Sequence, residues 1–419
     1  MSLAAISVAA LVLAVVLSCI TTVNVGVLAV ALAWIIGVYL GHMPLATVIA
    51  GFPTQLFLTL TGVTLLFTMA QCNGTLDRLA HHAVRGCRGN RGAVPIMFFL
   101  LAIGLASIGP GNISTAALVA PMAMTTAARA GIPPFLMAIM VGNGANAGSL
   151  SPFAPTGIIV NGLMARIGMS GYGTRTFLYN ALAHAVVAFG GYFLFGGWRL
   201  FARKSNEATE ATDEVLPVAA DRVFEPHQWL TLAVIAALIG CVVFLDVNVG
   251  MGAFFAATVL VLCRAADDRE AVKRMPWNVI VMVCGMTVLI ALLEKAEGID
   301  LFVSLLAKLS TRQTVTAVVA FITGGISVYS STSGVVLPAF LPMVPSLALQ
   351  LGGADALAIA LSMAVGSHLV DVSPLSTIGA LCIASATGAD SRRLFNQLLA
   401  WGLSMTVVGA LFCYLVFGR

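Results

Sequence analysis

Gly109-Pro110-Gly111-Asn112-Ile113-Ser114-Thr115 is a polar, helix-breaking run inside an apolar segment that extends from Pro95 to Met124. In hydrocarbon every unpaired backbone N–H or C=O costs several kcal/mol, so broken backbone there survives only when buried in protein or lining a cavity. The run therefore reads as the tip of a re-entrant helical hairpin. A second candidate tip is Ser330-Ser331-Thr332-Ser333-Gly334. Two such tips in one chain point to a ligand site near the middle of a membrane.

The composition around these tips sets the class. The chain has 419 residues, of which 59% are hydrophobic and 9% charged. Its mean hydropathy is +1.01. Soluble domains carry about 25% charged residues, so the expected class is an all-α polytopic membrane protein. The eight Cys residues show no C-x-x-C spacing and read as small buried hydrophobes. The apolar run Leu3 to Ile20 lacks a basic leader, and is read as a first transmembrane helix despite a faint lipoprotein-like Leu17-Ser18-Cys19.

The chain repeats its own plan. Val23-Asn24-Val25-Gly26 returns as Val247-Asn248-Val249-Gly250. Pro53 matches Pro276, Gly62-x-Thr64 matches Gly285-x-Thr287, Pro121-Met122 matches Pro342-Met343, and Ser151-Pro152 matches Ser373-Pro374, all at offsets of 221 to 224. Five collinear matches are the signature of internal duplication. The expected organisation is a first repeat over 1–200, a cytoplasmic linker over 201–228 and a second repeat over 229–419. Each repeat is expected to hold five spans plus one hairpin, near 94–128 and 313–348. The spans are expected at 3–20, 25–41, 53–72, 134–165 and 176–198, then at 229–245, 249–263, 276–293, 355–386 and 395–417; 134–165 and 355–386 are interrupted.

Five crossings per repeat make the two copies inverted. Sorting Lys and Arg by face under this plan places 15 on one side and 6 on the other, which makes the first side cytoplasmic and puts both termini outside. Thr75 to Arg85 and Gly298 to Leu309 read as amphipathic helices in the interface.

Ser151-Pro152 and Ser373-Pro374 carry a helix-start signature inside otherwise spanning segments, so each span is expected to stop and restart there. Four helix N-termini, two from hairpins and two from broken spans, then converge at mid-membrane. Such ends carry partial positive charge and free donors and suit carboxylates. The candidate substrate ligands are Asn112, Ser114, Thr115, Ser151, Pro152, Thr332, Ser333, Ser373, Pro374, Ser376 and Thr377. Candidate cation ligands, oxygen-rich as Na⁺ requires, are Ser107, Gly111, Asn112, Asn143, Asn146, Ser149, Ser331, Ser367 and Asp371. His368 and Asp371 are candidates for proton coupling, against a purely structural hydrogen bond between the two. His184 reads as a packing histidine. The plainer alternative for the Ser, Thr, Gly and Asn residues is helix-to-helix glue.

These residues resemble the malonate/C4-dicarboxylate carriers of the MatC type, within the ion transporter superfamily that includes the divalent anion/sodium symporters. Phe57 to Phe67 and Asn73-Gly74-Thr75-Leu76-Asp77 look like the amino-terminal region of the MatC type. The symporters carry Ser-Asn-Thr at each hairpin tip. Gly111-Asn112-Ile113 falls in the first register and keeps the Asn, while Thr332-Ser333-Gly334 falls in the second and loses it. Asp371 is a candidate to compensate. The resemblance implies a homodimer with a scaffold domain and an elevator-type transport domain, and cation-driven uptake of a small dicarboxylate such as malonate.

The sequence therefore reads as a secondary transporter of the bacterial inner membrane, with Na⁺ as the expected coupling ion and H⁺ the alternative. It is not read as an enzyme, and no nucleic-acid partner or resident cofactor is expected. A Na⁺/H⁺ antiporter is a second transporter reading. An intramembrane serine hydrolase built on Ser333 and His368 is the reading from another class. No G-x-x-x-x-G-K-[ST] loop is present, which argues against a primary pump.

Overall fold

A computed structural model of the chain describes residues 2–21, 23–85, 90–202, 224–386 and 391–418. Most of the expected linker, with Arg203, Lys204 and Arg222, lies outside the described residues, as do Cys87, Arg88 and Arg419.

Every described element is helical. The first ten helices are α1 (Leu3–Ile20), α2 (Val25–Trp34, extended by a π-turn over Ile35–Leu40), α3 (Leu45–Ile49), α4 (Thr54–Cys72), α5 (Thr75–Arg85), α6 (Ala93–Ile108), α7 (Gly111–Ala130), α8 (Pro134–Gly148), α9 (Pro155–Arg166) and α10 (Gly173–Leu194). The next ten are α11 (Pro226–Leu245), α12 (Val249–Leu262), α13 (Asp268–Arg274), α14 (Trp277–Lys295), α15 (Gly298–Leu309), α16 (Val315–Ser327), α17 (Thr332–Gln350), α18 (Ala356–Leu369), α19 (Thr377–Ala384) and α20 (Ser391–Phe417). Seven of them, α1, α4, α10, α11, α14, α17 and α20, are long and apolar enough to cross a bilayer by themselves. The chain is a multi-pass membrane protein. At 14 residues, α12 is the short span expected, reaching about 21 Å.

The repeated Val-Asn-Val-Gly has a direct structural meaning. Asn24 caps α2 by accepting from the Gly26 N–H at 2.9 Å, and Asn248 caps α12 by accepting from the Met251 N–H at 3.1 Å. The glycine that follows is where the helix crosses a partner. A methyl group on Gly26 would collide with the Val281 carbonyl of α14, and one on Gly250 would collide with the Thr59 backbone of α4. The contact is reciprocal: Gly285 of α14 meets the backbone of Gly26, and Gly62 of α4 meets the Gly250 carbonyl. Backbones this close leave room for nothing larger than hydrogen, so the same four-residue word builds the same crossing twice.

Buried apolar side chains form two main clusters. One draws on α1, α2, α4, α9, α11, α12, α14, α15 and α17. The other draws on α6, α7, α8, α10 and α20. Helices α16 and α18 contribute to both. Helices α6 and α7 turn back on each other through Gly109-Pro110, with Gly109 at φ 144 and Gly111 at φ 77, values that L side chains rarely adopt. The second arm of the second hairpin is irregular. Helix α17 runs as a π-turn (Thr332–Val336), a short α-turn (Leu337–Phe340), a 3-10 turn (Leu341–Met343) and an α-helix (Val344–Gln350). Pro338, Pro342 and Pro345 each lack an N–H, and this denies α17 a continuous hydrogen-bond ladder.

The cysteines divide. Cys284, Cys382 and Cys413 are buried as expected, but Cys263 is exposed just past the end of α12.

Candidate functional site

Both interrupted spans are broken where expected, but their restarts lie later in the chain. Helix α8 ends at Gly148 and α9 begins at Pro155; α18 ends at Leu369 and α19 begins at Thr377. Ser151-Pro152 and Ser373-Pro374 are therefore inside the breaks and are not helix starts, which corrects the reading of the Ser hydroxyls as caps. Ser151 Oγ donates to the Ser107 carbonyl at 2.6 Å, tying the first break to the first hairpin. Ser373 Oγ accepts from the Leu375 N–H at 3.3 Å. The cap of α19 is Ser376, whose Oγ accepts from the Gly379 N–H at 3.4 Å, while α9 has Ala154 at that position and no side-chain cap. The breaks are held in local turns: the Gly157 N–H returns to the Ser149 carbonyl at 3.0 Å, and the Ser376 N–H to the Ser373 carbonyl at 3.0 Å.

The first turns of α7, α9, α17 and α19 line one cavity of about 190 Å³. Asn112 and Ile113 come from α7, Thr156 from α9, Thr332 and Ser333 from α17, and Thr377 and Ile378 from α19. Tyr329, Ser330, Ser331, His368, Asp371, Leu375 and Ser376 complete the wall. At about 30 Å³ per liquid water, the space suits a guest of about six waters' volume. The first N–H groups of a helix have no intrahelical acceptor, so four such ends supply donors and partial positive charge without any cationic side chain. Among the described residues no Lys or Arg lines the cavity, and Asp371 is its one carboxylate.

The two tips are fastened by different chemistry. On the first, Asn112 Nδ2 donates to Asn146 Oδ1 at 2.8 Å. Asn180 of α10 supports that position, its Nδ2 donating to the Asn146 carbonyl at 2.8 Å. One turn further along α10, His184 Nδ1 lies 2.9 Å from Asn143 Oδ1. Asn143 Nδ2 already donates to the Ile139 carbonyl at 2.8 Å, so its oxygen faces the ring and His184 Nδ1 is the donor. His184 is a packing histidine on that edge, whereas its Nε2, Asn146 Nδ2, Asn180 Oδ1 and Thr115 Oγ1 are buried without a protein partner. On the second tip, Thr332 Oγ1 donates to Asp371 Oδ1 at 2.8 Å. Ser327 Oγ lies 2.9 Å from Thr332 Oγ1, and Ser331 Oγ accepts from the Gly334 N–H at 3.1 Å. The structural alternative, a side-chain bond between Asp371 and His368, is not formed: Asp371 takes the Thr332 contact, while His368 Nδ1 donates to the Ala364 carbonyl at 2.8 Å.

Of the expected substrate ligands, Asn112, Thr332, Ser333, Ser376 and Thr377 face the cavity. Ser114 instead faces a small hollow of about 30 Å³ beside Phe67. Thr115, Ser151, Ser373 and Pro374 are buried elsewhere, and Pro152 lines a separate hollow. Of the expected cation ligands, Asn112, Ser331 and Asp371 reach the cavity and Asn146 touches it through Asn112. Ser107 and Ser367 bond back to their own helices through Ile103 and Met363, Ser149 bonds to the Asn146 carbonyl, Asn143 holds His184, and Gly111 is buried in the turn.

Sequence reading missed Thr156, Tyr329 and Ser18. The hydroxyl of Ser18, in the last turn of apolar α1, lies 2.7 Å from Ser330 Oγ at the second tip. A polar residue in an otherwise apolar helix was the available signal. Thr156 had one too, five residues after Ser151 in a Pro-Thr-Gly step.

Residues 1–149 match the family described as the dicarboxylate carrier protein MatC N-terminus. No curated protein matches the chain by sequence. Among solved structures the chain is similar to the YdaH transporter of Alcanivorax borkumensis, with TM-score 0.61 and 15% identity over 89% of this chain and 86% of that one. It is similar also to Neisseria gonorrhoeae MtrF, described within a class of antimetabolite efflux pumps, with TM-score 0.61 and 14% identity over 91% of this chain and 84% of that one. At such identities the likeness is one of fold. Family and fold together point to a transporter and not to an enzyme. The chain thus carries, over residues 1–149, the amino-terminal pattern of the MatC dicarboxylate carrier family on a fold shared with membrane transporters.

Proposed function

We propose that the chain is a secondary active transporter that takes up a small dicarboxylate, of malonate or C4 size, by coupling to a cation. Na⁺ is the favoured ion. The observation that carries this reading is the single cavity reached by both hairpin tips and both restarted helices, with Asp371 as its only charged side chain among the described residues apart from the titratable His368. The backbone ends suit carboxylates, yet a carboxylate about 4 Å from Asp371 is repelled by about 4 kcal/mol at an effective dielectric of about 20. That is about a thousandfold in affinity. A dianion is therefore held well only when a cation or a proton neutralises Asp371, which makes the anion and the cation obligatory companions. Thr332 Oγ1, Ser331 and Asp371 offer Na⁺ the hard oxygen ligands it needs.

The cavity's size supports a short diacid, and the named carrier family supports the substrate class. Proton coupling through Asp371 or His368 is the alternative, followed by Na⁺/H⁺ antiport. We further propose a homodimer in a bacterial inner membrane, with both termini outside. Its two repeats are inverted, and the hairpin-bearing body moves as an elevator against the other. The test is uptake into proteoliposomes across a panel of dicarboxylates, with Na⁺ and pH gradients imposed separately. Accumulation of a short dicarboxylate under the Na⁺ gradient alone supports the reading. A pH response to Na⁺ with no dicarboxylate uptake replaces it with antiport.

A further inference from the structure

Two larger hollows lie apart from the central cavity, and one side chain lines both. The first, about 660 Å³, is bounded by α4, α9 and the start of α12, and among the described residues its wall includes Gln55, Asn161 and Asn248 but no Asp or Glu. The second, about 480 Å³, lies between the end of α9 and helices α14, α15 and α17, and includes Glu294 and Asp300. Arg166, the last residue of α9, is on the wall of each. It is exposed and, among the described residues, has no hydrogen-bond or ion-pair partner. No other Lys or Arg among the described residues lines these two hollows or the central cavity.

Helix α9 joins Arg166 to the central site. Thr156 in its first turn faces the cavity, and ten residues further on Arg166 stands about 15 Å away along the axis. That separation exceeds the screening length of about 8 Å at physiological salt. Through water, Arg166 therefore acts weakly on an anion already in the cavity and strongly on one in the hollow beside it. Among the described residues the central cavity has no cationic side chain to draw an anion in. A guanidinium presents paired donors that match a carboxylate. The amides of Gln55 and Asn161 add neutral hydrogen-bonding capacity in the same hollow, while Glu294 and Asp300 disfavour an anion on the other side of Arg166.

We propose that Arg166 anchors an oxyanion-capture site in the acid-free hollow, where one carboxylate of the transported diacid is held before the molecule reaches the central cavity. The inference rests on the dicarboxylate reading above. A phospholipid headgroup offers the same oxyanion chemistry, so the experiment separates the two sources.

Uptake kinetics are measured for wild type, Arg166→Gln and Arg166→Lys, in vesicles of phosphatidylcholine alone and of phosphatidylcholine with phosphatidylglycerol. The expected result is a KM for the dicarboxylate raised about tenfold in Arg166→Gln, with the maximal rate retained, equally in both lipids and partly restored by Lys. An unchanged KM overturns the proposal, and so does a change seen only with the anionic lipid, which assigns the site to a headgroup. If wild type transports no dicarboxylate, the functional reading fails by itself. Capture is then read from the thermal shift that malonate produces in purified protein, where loss of the shift in Arg166→Gln upholds the site and an equal shift in both proteins removes it.

Discussion

The two hairpin tips occupy matching places in the chain yet are fastened differently. The first joins amide to amide, Asn112 to Asn146, with Asn180 behind them. The second joins hydroxyl to carboxylate, Thr332 to Asp371. The arms differ as well: α7 is a continuous helix with one internal Pro, whereas α17 is four short turns in series. The first tip is thus neutral and offers directional hydrogen bonds, whereas the second carries a carboxylate that calls for a counter-ion. On the proposed function, the first tip positions the guest and the second sets the terms of coupling.

Asp371→Asn breaks this contrast most deeply. With the carboxylate gone, the second tip becomes as neutral as the first and the repulsion of about 4 kcal/mol that a cation must relieve disappears. Gradient-driven accumulation in proteoliposomes is expected to be lost, while dicarboxylate binding measured by calorimetry becomes independent of Na⁺. Persistent Na⁺-driven accumulation would place the coupling elsewhere. Asn112→Ala tests the neutral half. It strips a donor from the cavity and leaves Asn146 Oδ1 unpaired beside an already unpaired Nδ2. A loss of about 1–3 kcal/mol, or about tenfold to a hundredfold in uptake, is expected at unchanged expression. Near-normal uptake would remove Asn112 from the site.

Thr332→Val sharpens the comparison on a smaller scale, because it keeps shape and charge but deletes one hydrogen bond to the carboxylate. About a tenfold rise in the Na⁺ concentration for half-maximal uptake is expected, with the maximal rate little changed. The smallest functional effect belongs to the paired crossings. Gly26→Ala and Gly250→Ala each force a methyl group into a facing backbone. Each is expected to destabilise by about 1–3 kcal/mol, seen as a lower melting temperature in detergent. Equal losses would show that the two halves share their mechanical frame while differing in their chemistry.

Much of this was legible in the sequence because it is written in short words with strong backbone consequences. Val-Asn-Val-Gly marked the repeat, though not the cap and crossing it builds, and Gly109-Pro110-Gly111 marked a helix-breaking tip inside an apolar segment. The two Ser-Pro steps located both breaks to within a few residues. Their exact role was not legible. A Ser before a Pro reads as a cap only if its hydroxyl stays local, and Ser151 also sends its hydroxyl across to the Ser107 carbonyl. Nor does a polar letter near a break reveal which way it points. Ser114 and Thr115 follow Asn112 closely, but the rotation of α7 turns them toward Phe67 and into the interior. Ser18 stood out as a polar residue in an apolar helix, but its pairing with Ser330 did not, since a contact spanning 312 residues leaves no local pattern.

That contact has a mechanical corollary. Ser18 is on a helix of one apolar cluster, whereas Ser330 tips a hairpin whose first arm, α16, also borders the other. A neutral hydroxyl pair contributes only about 1 kcal/mol net, close to twice the thermal energy at room temperature. On the proposed elevator motion it acts as a detent, firm enough to define a resting position for the second tip and soft enough to slip without a fuel of its own.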